Sequence, residues 1–194
     1  MAYDKKWFWA MCSVATLALV CFSAWSAWIV FFDNQMWLYA ENSLIENIQA
    51  TLLTISALVF LVAAVLEKKS SKLPMFLCIA LCYAFLVREL DIEKILDHPT
   101  IVLIGSGKGR NLSLVVLFAS LSIPFFLNPK HYLGVMVSFL RSRPAFLMIA
   151  GGICLLVGAF FEKYEGIPHH VYFEEMSEVL GYVLILLASF AACL

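Results

Sequence analysis

Apolar stretches follow one another along the chain with short polar joints between them, and several end in charged residues. The runs cover residues 7–32, 44–66, 74–95, 112–127, 145–162 and 173–194. A helix rises about 1.5 Å per residue, so about 20 residues cross a hydrocarbon core about 30 Å thick. The pattern predicts an all-α fold, a polytopic membrane helix bundle of about six transmembrane helices. Residues 1–194 form a single integral membrane domain, because no linker or low-complexity tract divides them and no internal repeat is visible.

Two runs are short. The apolar part of the third, Met75 to Val87, reaches only about 20 Å. That helix must therefore carry Arg88, Glu89 and Asp91 into the membrane edge, or the bilayer must thin there. Pro74 suits its first turn, where a missing N–H costs nothing. The fourth run is also short, Pro124 is expected to kink it, and residues 132–140 read as an interfacial segment.

Composition agrees with the pattern. Hydrophobic residues make up 63% of the chain and charged residues 14%, against about 45–50% and about 25% in soluble domains. Mean hydropathy is +0.91. A net charge of −1 and the lack of a Lys/Arg-rich run exclude nucleic acid as a partner. The first apolar run exceeds the about 7–15 residues of a signal peptide's apolar region, so it is read as a retained span.

Six cysteines (12, 21, 78, 82, 154 and 193) lie within or at the ends of apolar runs, which argues against a disulfide framework. Cys78 and Cys82 share a helix face; that spacing suits a metal, but small apolar packing is the commoner reason for it.

Charge supplies the orientation. With the N-terminus inside, Lys5, Lys6, Lys68, Lys69, Lys72, Lys130, Arg141 and Arg143 fall on the inner face. Arg88, Lys94, Lys108, Arg110 and Lys163 fall outside. Lys and Arg favour the cytoplasmic side, so both termini are expected to be cytoplasmic, in a bacterial inner (plasma) membrane.

Of the 14 acidic residues, all but Asp4 and Glu67 then gather at the outer ends of the spans. Acids at the N-termini of spans two and six, such as Glu41, Glu174 and Glu175, are favoured by the helix dipole. Glu89, Asp91 and Glu162 stand at C-termini, against the local field. Glu46 and Glu178 lie about a turn inside their helices, where a charge is costly unless paired. Arg88 is the basic residue at comparable depth, so it is expected to bridge Glu46 and Glu178. Asn42, Glu46, Gln49 and Ser56 lay a polar stripe along span two. Glu174, Glu178 and Gly181 begin another on span six. The candidate ligand-binding set is Glu46, Gln49, Arg88, Asp91, Glu162, Glu174 and Glu178.

His169 and His170, beside these acids, have the donor types for Zn²⁺, Mn²⁺ or Fe²⁺ and are the candidate metal ligands for a divalent metal. No HExxH or ExxH spacing accompanies them. The run GSGKGR in the longest connection, about residues 96–111, lacks the Walker spacing and reads as a basic outer loop. In span five, Ala150, Cys154 and Gly158 form a small-xxx-small packing face, widened by Gly151 and Gly152.

No motif in the chain defines a family. Three functions fit these residues. The first is an outward-facing site that binds or transports a cation, an amine or the polar headgroup of a membrane lipid. The second is a non-catalytic subunit docking a membrane-protein partner or forming a homo-oligomer. The third is a membrane-embedded enzyme acting on lipid headgroups with its carboxylates or a metal.

Overall fold

The computed structural model describes residues 2–33, 35–39, 43–67, 72–90, 107–164 and 166–194. These residues form seven α-helices and one 3-10 turn, with no strand among them. The helices are α1 (Ala2–Phe31), α2 (Leu44–Leu66), α3 (Leu73–Glu89), α4 (Gly107–Leu127), α5 (Pro129–Leu140), α6 (Arg143–Lys163) and α7 (His170–Ala192). The turn, Met36–Tyr39, precedes α2. Five helices, α1, α2, α4, α6 and α7, are long and apolar enough to cross a membrane.

The third run ends earlier than its hydropathy suggests. Helix α3 has 17 residues, about 25 Å, and leaves helical geometry at Leu90, whose N–H still bonds the Leu86 carbonyl. The run to residue 95 is not one helix. Asp91 lies outside the described residues. Residues 107–110, expected in a loop, are instead the first turn of α4.

Helix α4 passes through Pro124 without interruption, and the break falls at Asn128 (φ −143°, ψ 70°). Pro129 explains that position, because a residue before proline is pushed out of the helical region. Residues 132–140, read as an interfacial segment, belong to α5. Ser142 starts the next helix by accepting a hydrogen bond from the Ala145 N–H, at 3.5 Å, with Pro144 in the first turn.

Helix α7 is the centre of the bundle. It packs along α6 and α2, α2 packs against α3, and α4 and α5 lie on the periphery. Helices α2 and α7 run parallel: Gln49 meets Glu175 near their starts, and Cys193 reaches the Val59 carbonyl near their ends. One apolar core joins Leu53, Phe60, Cys78, Cys82, Leu155, Tyr182, Ile185 and Ala188. A second, around Val30, Leu38, Ile45, Tyr172 and Val179, ties the end of α1 and the 3-10 turn to α2 and α7.

Cys78 and Cys82 are therefore core residues. At the α1 junction the Ser26 hydroxyl lies 2.9 Å from the Tyr172 hydroxyl, buried among apolar side chains.

The α6–α7 contact is close because of glycine. A Cβ on Gly151 would stand 2.8 Å from the Gly181 carbonyl oxygen, and one on Gly181 would stand 3.0 Å from the Gly151 oxygen. The buried face of α6 is Gly151, Leu155 and Gly158; of the small residues expected there, Gly151 and Gly158 are buried and Ala150, Gly152 and Cys154 are half-buried. Leu155 takes the place of a small residue on that face, so the close approach rests on Gly151 and Gly158, and which glycine meets the α7 backbone depended on the packing of the two helices.

Candidate functional site

The starts of α2 and α7 and the end of α3 bring polar side chains together at one end of the bundle. Helix α7 contributes Glu174, Glu175, Glu178 and Tyr182. Glu178 and Tyr182 are four residues apart and point from the same face. Glu178 is 2% exposed and Tyr182 0%. Gly158 leaves room on α6 for Glu178: a Cβ there would meet the Glu178 Cγ at 3.0 Å.

Arg88, in the last turn of α3, donates through Nη2 to Glu178 Oε1. Its Nε lies 3.2 Å from Glu89 Oε1. The Tyr182 hydroxyl donates to that same Glu89 oxygen at 2.6 Å. One guanidinium thus serves two carboxylates, and a phenol closes the set. The Glu89 and Glu178 side chains are 7% and 3% exposed, whereas Arg88 is 45% exposed. The cation faces outward and the acids face inward. A positive group at the C-terminus of α3 also suits the helix dipole. Arg110, from the first turn of α4, reaches the Val87 carbonyl at 3.5 Å and braces the same end.

A second polar contact lies between α2 and α7. Gln49 is fully buried, and its Nε2 donates to Glu175 Oε2 at 2.7 Å and to the Glu175 carbonyl at 3.2 Å. Glu46, one turn earlier on α2, is half-buried and acts electrostatically on Glu175, as does Glu178. Glu174 is half-buried, within electrostatic range of Arg88, Glu162 and His170. Glu162 is exposed at the end of α6, on the rim of the cluster.

The expected Arg88 bridge between Glu46 and Glu178 takes a different form. Glu178 is a partner, but the second carboxylate is Glu89, the neighbour of Arg88 in sequence. Glu46 stands on the Gln49–Glu175 side.

Three residues outside the candidate set belong to this geometry: Glu89, Glu175 and Tyr182. Two lay within helical reach of Glu178, at i−3 and i+4, so the stripe through Glu178 contained the signal. An aromatic in an apolar run reads as core, and Tyr182 is core except for its hydroxyl.

The histidines sit apart from this network of hydrogen bonds. His169 has left-handed backbone (φ 56°), its Nδ1 lies 3.3 Å from the Tyr39 hydroxyl, and its ring meets Phe31 edge-on at 5.2 Å. It closes the junction of α1, the 3-10 turn and α7. His170 opens α7. Among the described residues no three His, Cys, Asp or Glu side chains are grouped as a metal site.

The molecule is therefore an all-helical bundle with membrane-length apolar helices and a buried, multi-helix cluster of charge at one end. No protein-family model, curated protein or solved structure matches the chain.

Proposed function

We propose that this chain is a multi-pass protein of a bacterial inner membrane whose acidic end binds, and in the fuller version transports, a cation, an amine or a polar lipid headgroup. In this reading α3 is the sixth span, short enough to thin the bilayer locally or to hold Arg88 at the interface. Both termini are cytoplasmic, following the Lys/Arg bias, and reporter fusions at the two ends test this.

The observation that carries the proposal is the imbalance of the cluster. Arg88 faces two nearly buried carboxylates, Glu89 and Glu178, and a third acid, Glu175, lies against Gln49 on the next helix. Buried carboxylates are costly without a counter-charge. A structural ion pair needs one acid for one guanidinium, and among the described side chains of the cluster the acids exceed it. A positively charged ligand offsets the excess. The apolar interior below the cluster has Ser56 and Ser189 as buried polar residues, each bonded within its own helix. Binding is therefore better supported than a continuous permeation path.

Native mass spectrometry of the protein in mild detergent tests this. Retained lipid or cation is expected on the wild type and reduced occupancy on Glu178→Gln. Identical spectra from the two proteins, with Glu178→Gln folded, would count against the site.

One observation favours the subunit reading as a second possibility. None of the apolar window of α4 is buried within the chain. A membrane partner covering α4 would appear as a stable complex in the same spectra.

A further inference from the structure

The two halves of the polar cluster differ in how completely they are satisfied. Arg88, Glu89, Glu178 and Tyr182 bond one another. The half made by Gln49 and Glu175 is incomplete. Gln49 is 0% exposed, and its Oε1 has no hydrogen-bond partner among the described residues. Turning the amide over would set its oxygen 2.7 Å from a carboxylate oxygen, acceptor against acceptor, so the partners fix which atom is nitrogen. The carbonyl left over is two bonds from a nitrogen that touches Glu175, and so borders the same carboxylate.

A buried acceptor without a donor is costly. Among the described residues, the charged side chains that act on Glu175 are Glu46, Glu89 and Glu178, which add acceptors rather than donors. The gap therefore calls for N–H or O–H groups and for positive charge.

We infer that Gln49 Oε1 and the Glu175 carboxylate bind a primary ammonium group. This rests on the reading of the acidic end as a binding site and names the ligand class for it. An ammonium has three donors on one compact cation, enough to serve the amide oxygen and carboxylate oxygens together. A phosphate is disfavoured, because the carboxylates repel it and Arg88 already holds two acids. A divalent ion fits poorly, since no three-ligand group is assembled among the described residues. Two sources carry this chemistry: a free amine, or the headgroup of phosphatidylethanolamine.

The experiment is native mass spectrometry of the full chain in mild detergent with equal amounts of phosphatidylethanolamine and phosphatidylcholine. The two lipids share a phosphate and differ in whether the cationic nitrogen has N–H donors. Ethanolamine and choline are run as the soluble pair. The expected result is at least about tenfold preference for phosphatidylethanolamine or ethanolamine over its methylated counterpart, the effect of one buried hydrogen bond left unmade. Binding of ethanolamine alone identifies a free amine as the source, and binding of the lipid alone identifies the headgroup.

The preference should vanish in Gln49→Met and in Glu175→Gln. If neither variant folds, the comparison on the wild type still decides. Equal retention of the methylated and unmethylated ligands overturns the ammonium assignment and leaves the broader binding site standing. A preference unchanged in both folded variants overturns its placement at Gln49. Retention of no lipid, amine or cation at all removes both the assignment and the proposal beneath it.

Discussion

Gly151→Ala tests the packing that buries the polar cluster. The new methyl would lie 2.8 Å from the Gly181 carbonyl oxygen and 3.1 Å from Ile185 Cγ1. A carbon and a carbonyl oxygen in close contact settle at about 3.3–3.6 Å. The two helices must therefore part by about half an ångström, since the obstacle is backbone and no rotamer change removes it. Overpacking of this kind costs about 1–3 kcal/mol. Alanine is the better helix former by about 0.5–1 kcal/mol, which offsets part of the strain.

The net expectation is a destabilisation of about 0.5–2 kcal/mol. Gly152→Ala is the control, because its methyl would meet nothing within 4 Å. Only the propensity gain remains there, so the protein should hold steady or gain up to about 1 kcal/mol. Equilibrium unfolding in mixed micelles, read as midpoints at constant slope, separates the two variants. The same shift at both positions, or a gain at Gly151, would refute the assigned helix crossing. The crossing matters to the site because Gly158 and Gly181 flank Glu178 in the same interface. Helices that part there would admit water to a carboxylate now 2% exposed.

Other substitutions probe the cluster directly. Arg88→Met strands Glu178, leaves Glu89 with the Tyr182 hydroxyl, and is expected to cost about 3 kcal/mol, the lower end for half of a buried pair, because Arg88 is 45% exposed. The double variant Arg88→Met/Glu178→Met should recover at least about 1 kcal/mol of that loss, and strictly additive effects in the cycle would refute the pairing. Tyr182→Phe removes the 2.6 Å bond to Glu89 without opening a cavity and should cost about 1.5–3 kcal/mol; unchanged unfolding would show that the Arg88 bond alone satisfies Glu89. Tyr172→Phe deletes the 2.9 Å contact with Ser26 and should cost about 0.5–1.5 kcal/mol. Cross-linking between cysteines placed on α1 and α7 should then become less efficient, since this contact is part of what holds α1 to the bundle.

Some of the cluster could be read from sequence, for a reason that particular residues illustrate. Glu178 and Arg88 interrupt apolar runs, and a charge in such a run needs a partner wherever the helix lies. Their depths along their own helices matched, and the two meet. Glu46 matched in depth as well, yet it stands beside Glu175. Depth is a property of one helix, whereas proximity depends on how helices are ordered around the bundle. Tyr182 was passed over because an aromatic inside an apolar run reads as core packing, which says nothing of where its hydroxyl points. Glu175 read as an N-terminal dipole partner, and only the placement of α2 beside α7 shows that it meets Gln49.

The linear chain alone determined the helical class, the membrane-length apolar segments and the end at which acids collect. Those follow from covalent order and local physics: apolar runs of sufficient length, prolines that open helices, and charges that cannot lie in lipid unpaired. Tertiary structure decided which acid faces Arg88, which glycines touch, and that the Gln49 carbonyl meets no donor among the described residues. Such facts depend on rotation and order of helices about the bundle axis. The apolar faces of α1, α4 and α6 are too alike in hydropathy to specify that order before the chain packs.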